Sequence, residues 1–110
     1  LGDIEMSRIE AIRKIVAQSP NDPFPRYGLA MELKNAGQHD EAHATFVELE
    51  ERHPDYVPQY LMHANLLTAM KRAADARGVL ERGIAAANKK RDQHALGELQ
   101  GALEALDAGD

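Results

Sequence analysis

A recurrence at 34 residues constrains this chain more than any other feature of its sequence. Pro20 returns as Pro54, Ala30 as Ala64, Leu33 as Leu67 and Ala42 as Ala76, while Phe46 is matched by Leu80. A period of that length describes stacked repeat units, each too small to bury its apolar face without a neighbour. The polar positions drift more, with Arg26 matched by Tyr60 and Glu41 by Asp75. Small and bulky apolar positions are the ones kept in step, as expected where packing is what the period preserves.

The chain breakers follow the same rhythm. Ser19-Pro20-Asn21-Asp22-Pro23, Gly37-Gln38-His39-Asp40 and His53-Pro54-Asp55 interrupt apolar patterns at regular intervals. Gly37 suits the left-handed position after a helix end, and Asp40 is expected to cap the next helix. Helices are therefore predicted at about 4–18, 24–36, 40–53, 57–70, 73–88 and 92–107. Each carries apolar residues at helical spacing: Ile9, Ile12 and Val16; Leu29, Ala30 and Leu33; Ala42, Phe46 and Leu49; Leu66, Leu67 and Met70. Helices this short are marginal alone, so neighbours must stabilise one another, and the repeated alanines allow close backbone approach. With 5% aromatic residues and no tryptophan against abundant alanine and leucine, the fold class is all-α. The length of 110 residues suits a single domain.

The net charge of -5 disfavours contact with nucleic acid phosphate, so no nucleic acid partner is expected. The segment 71–91 departs from that balance, with Lys71, Arg72, Arg77, Arg82, Lys89, Lys90 and Arg91 against Asp75 and Glu81. Such a run reads first as a solvated helix face and second as a docking patch for an acidic partner. Cysteine is absent, which removes disulfide and thiolate chemistry; a reducing cytoplasm is the expected location. No apolar run approaches the roughly 18 residues that span a bilayer, so no membrane partner is expected.

The spacing resembles the tetratricopeptide repeat, a helix-turn-helix unit of 34 residues. In that family small residues stand at the eighth and twentieth positions, a bulky one at the twenty-fourth and proline at the thirty-second. Counted from Pro23, those positions hold Ala30, Ala42, Phe46 and Pro54, with Leu29 and Gly37 also matching. Counted from Val57, they hold Ala64, Ala76, Leu80 and Asn88, and Lys71 replaces the turn glycine. The resemblance implies a right-handed α-α superhelix of antiparallel pairs, one domain over residues 3–108. Its parts would be a half-repeat helix at 4–18, repeats at 23–56 and 57–90, and a capping helix at 92–107.

The resemblance also implies a protein-interaction module whose first helices line a concave groove for a segment of another protein. The groove residues would be Phe24, Tyr27, Met31, Lys34 and Asn35 from one repeat and Leu61, Asn65 and Thr68 from the next, with Ala69, Leu99 and Leu103 beyond. Some family members grip a terminal carboxylate with lysine, asparagine and arginine; here Tyr27 and Met31 replace two members of that set and only Asn65 fits. Leu96, Leu99, Leu103 and Leu106 alternate at three- and four-residue spacing. That seam either packs as a cap or serves a homodimer, and self-association through it is the alternative function.

Catalysis is not expected. The chain has no nucleophile motif, phosphate-binding loop or nucleotide fingerprint, and no cofactor is implied. His39 and His43 are four apart, a spacing that can hold zinc, yet Asp40 stands where the zinc protease pattern needs glutamate. The two histidines read as a turn and an exposed helix face, without metal. Glycines 78, 83, 97 and 101 fall within predicted helices, where each costs about 1 kcal/mol relative to alanine. Close helix crossing is the first expected reason for them, and local looseness of the last two helices the second.

Overall fold

The computed structural model describes residues 2–109. Six helices and no strands are present among them: α1 (Gly2–Gln18), α2 (Pro23–Asn35), α3 (His39–Arg52), α4 (Pro58–Ala69), α5 (Ala73–Lys90) and α6 (Gln93–Ala108). They form two compact units, Leu1–His53 and Pro54–Asp110.

In the first unit α1 packs on α2 and α2 on α3. Gln38 near the end of α2 donates to the Met6 sulfur at the start of α1, 3.7 Å away, so the two helices are antiparallel. Ile9, Leu29, Ala30, Leu33, Ala42 and Phe46 are buried. Arg8 pairs with Glu32 at 3.2 Å, and Arg13 with Glu41, tying α1 to α2 and, through side chains alone, to α3. Arg26 is the exception to the apolar interior. It is 4% exposed and donates to the Pro20 carbonyl at 3.1 Å, with Glu48 at 3.7 Å from the guanidinium.

The second unit is built from α4, α5 and α6, each in contact with the other two. Val57, Tyr60, Ala64, Leu67, Ala76, Val79, Leu80, Ala87 and Leu99 form its core. Lys89 meets Asp55 at 3.2 Å, which sets the end of α5 beside the start of α4. Arg77 pairs with Asp107, which sets the start of α5 beside the end of α6. Successive helices are thus antiparallel, and α4 and α6 run in the same direction. The close crossing is at Gly83, where an added Cβ would fall 2.6 Å from Tyr60 Cβ and 3.0 Å from a Leu99 methyl. The other three glycines do not share this reason. Gly97 and Gly101 have nothing within 4 Å of that position, and Gly78 has only the Arg82 guanidinium at 3.5 Å.

The period is visible in hydrogen bonds as well as in packing. The Tyr60 hydroxyl donates to the Pro54 carbonyl at 2.5 Å, the position that Arg26 occupies toward Pro20 in the first unit. The helix ends also repeat. Gly37 has φ 80° and donates to Lys34, while Gln38 donates to Leu33; Lys71 at φ 63° and Arg72 bond in the same way to Thr68 and Leu67. Arg91, at φ 57°, and Asp92 close α5 identically onto Asn88 and Ala87. These are Schellman closures, and two of the three place a side chain where glycine is normally favoured.

Helix starts are capped in two places by aspartate. Asp22 accepts from the Phe24 amide and Asp92 from the Ala95 amide, both at 3.0 Å. Asp40 does not cap α3, contrary to the sequence expectation. The Gln38 carbonyl already accepts from Ala42, so the helix begins earlier and Asp40 lies within its first turn. There its carboxylate, with that of Glu41, favours the positive end of the helix dipole instead.

Candidate functional site

Because α4 and α6 both lie against α5 and run parallel, the second unit has a furrow between them. It measures about 400 Å³ and is lined by Ala64, Asn65 and Thr68 of α4, Leu80 of α5, Ala102, Ala105 and Leu106 of α6, and Gly109 just past the end of α6. Ala102 and Ala105 on the α6 wall, with Gly109 just beyond it, keep the furrow open, since larger side chains there would fill it. Its lining is apolar apart from Asn65 and Thr68, which lie one turn apart on the α4 rim. The Thr68 hydroxyl donates to the Ala64 carbonyl at 3.0 Å, so its proton is used within the helix while its oxygen can still accept. Asn65 is exposed and has no side-chain hydrogen bond to the described residues. Its amide can both donate and accept, which suits the peptide groups of a bound segment.

The sequence-predicted groove residues fall in both units. Asn65 and Thr68 line the furrow, whereas Leu61 is half-buried and packs against the core of the second unit. On α2 in the first unit, Phe24 is 67% exposed and Asn35 is exposed, with Tyr27, Met31 and Lys34 half-buried. Burial pushes the Tyr27 phenol above its usual 10.0. Leu99, expected in the groove and in the leucine seam, is 2% exposed and belongs to the core opposite Gly83. Leu96 and Leu103 pack against that core, and Leu106 also lines the furrow. The seam is therefore occupied by its own chain.

Ala102, Ala105 and Gly109 were not expected at a site. Their signal was present as small residues at three- and four-residue spacing beside the leucine seam. His39 and His43 are both half-buried on α3. Among the described residues no group of three potential metal ligands converges, and no helix is long and apolar enough to cross a membrane.

No protein-family model matches the sequence, and no curated protein does. Solved structures do match. A tetratricopeptide repeat domain protein from Salinibacter ruber, determined in solution, is 36% identical over 84% of this chain and 93% of its own, with a TM-score of 0.80. A crystal structure of a tetratricopeptide repeat domain protein from that organism is also 36% identical, over 81% of this chain and 100% of its own, with a TM-score of 0.76. The TPR2B domain of yeast Sti1, solved in complex with pHsp70, shares the fold at 17% identity, covering 99% of this chain and 87% of its own with a TM-score of 0.86. Given this likeness and the 34-residue recurrence of helices, turns and tethers, the chain belongs to the tetratricopeptide repeat family.

Proposed function

We propose that the chain is a protein-interaction module, and that the furrow between α4 and α6 holds a segment of another protein. The observation that carries this reading is the furrow itself: an apolar trough of about 400 Å³ with an exposed amide, Asn65, on its rim. An apolar side chain of the partner would enter the trough, and Asn65 would hydrogen-bond the partner's backbone. The structure of the Sti1 domain in complex with pHsp70 supports a binding role for this kind of fold. The incomplete carboxylate clamp argues for an internal segment over a chain terminus. On α2, the exposed Phe24 with Tyr27, Met31, Lys34 and Asn35 forms a separate strip for contact, since aromatic and thioether side chains supply adaptable area.

The test is a display library of short peptides selected against the wild type, followed by affinity measurements on variants. Ala105→Trp should fill the furrow and Asn65→Ala should remove its free amide; both should lose the selected peptides while keeping helicity. A Tyr27→Ala variant measures the share of the α2 strip. Undiminished binding by Ala105→Trp and Asn65→Ala would move the site away from the furrow.

A further inference from the structure

The outer face of α1 carries an apolar stripe that its own chain leaves uncovered. Ile9 is buried against the rest of the first unit, with Ile12 and Val16 half-buried on that same side. Ile4, at 71% exposure, and Ile15, at 48%, lie elsewhere on the helix, about three turns apart, with the exposed Ala11 between them. At 100° per residue Ile4, Arg8, Ala11 and Ile15 share one line along the surface.

That line is nearly symmetric about the middle of the helix. If two copies of α1 lie antiparallel across a two-fold axis near Ile9 and Glu10, Ile4 of one copy meets Ile15 of the other, and Arg8 meets Ala11. Charge is complementary in this register. Asp3 and Lys14 occupy one flank of the stripe, and the two-fold axis brings Asp3 of each copy near Lys14 of the other. Both side chains are exposed and have no ion-pair partner among the described residues. Repulsion between the two Arg8 side chains across the axis is reduced, because each is paired in its own chain with Glu32 at 3.2 Å and Glu5 at 3.9 Å. The aliphatic stem of Arg8 remains over the stripe as apolar surface.

We infer that α1 is a self-association surface whose occupant is α1 of a second copy, packed antiparallel. This is independent of the furrow, which lies in the other unit. A single helix pair falls at the small end of specific interfaces, below about 1,200 Å², so the dimer is weak and concentration-dependent.

Analytical ultracentrifugation of the full chain from about 10 µM to 1 mM tests the inference. The wild type should show a reversible monomer-dimer equilibrium. Ile15→Glu, at an exposed position, should weaken it by more than about tenfold with unchanged helicity and melting temperature. Lys14→Asp should weaken it by about threefold, and Asp3→Lys added to Lys14→Asp should restore it, because the reversed pair attracts again. A monomer at every concentration overturns the inference and leaves the stripe to another partner. A dimer that survives Ile15→Glu overturns it as well, placing the contact on a different face.

Discussion

Gly78, Gly83, Gly97 and Gly101 look alike in the sequence, and the structure gives one of them the opposite response to the same substitution. Gly97 and Gly101 have open space where a Cβ would stand, so alanine there gains helix propensity worth about 1 kcal/mol. At Gly83 the same gain is opposed by a Cβ only 2.6 Å from Tyr60 Cβ. Carbon atoms rest at about 3.5 to 4.0 Å, so α4 and α5 would have to separate by roughly 1 Å. Tyr60 cannot swing aside, because the atom in the way is attached directly to its backbone and its hydroxyl is held by the Pro54 carbonyl. Leu99 blocks the other direction, with a methyl at 3.0 Å. Overpacking of this kind costs about 1 to 3 kcal/mol, and with both neighbours fixed the upper half of that range applies. Gly83→Ala should then be destabilised by about 1 to 2 kcal/mol net, and should differ from Gly97→Ala by about 2 to 3 kcal/mol. For a domain of this size that difference corresponds to roughly 8 to 20 °C in melting temperature. Urea and thermal unfolding followed by circular dichroism would measure both. If Gly83→Ala stabilised the protein as much as Gly97→Ala, the close crossing of α4 and α5 would be refuted.

Lys71 holds a left-handed backbone, so Lys71→Gly should raise stability by about 1 kcal/mol in urea titration and Gly37→Ala should lower it by a similar amount. Tyr60→Phe removes the hydrogen bond to Pro54 and should cost about 1 kcal/mol by the same assay. Ala42→Glu and Ala76→Glu each put a carboxylate at a fully buried position and should cost several kcal/mol, so near-wild-type melting of either would contradict the packing. Burial raises the Tyr27 pKa in the folded state, so above pH 10 the unfolded chain ionises first and stability falls as pH rises. Tyr27→Phe should flatten that alkaline loss, as read from urea midpoints between pH 9 and pH 11.

The helices and their pairing were legible because packing repeats at one interval and leaves its mark on small residues. Ala30, Ala42, Ala64 and Ala76 are all buried, and the predicted breaks fall within one or two residues of the observed ends. What was not legible depends on distances that no residue type encodes. Gly83 and Gly97 are the same letter in similar surroundings, and only the position of Tyr60 separates them. Arg26 would be placed outside by its charge, yet its guanidinium finds a carbonyl acceptor in the preceding turn and is buried. Leu99 and Leu106 belong to one seam in the sequence; the first lies in the core opposite Gly83, and the second, two turns on, lies on the furrow wall. Asn65 and Thr68 were expected at the site through the family resemblance, and it was the alanines and glycine across from them that periodicity alone had left unassigned.

The tethers from Arg26 to Pro20 and from Tyr60 to Pro54 join equivalent atoms of the backbone through unrelated functional groups. The joint therefore asks for side-chain length and a proton to share, and not for a particular charge or an aromatic ring. Histidine, glutamine or lysine six places after such a proline would meet the same requirement.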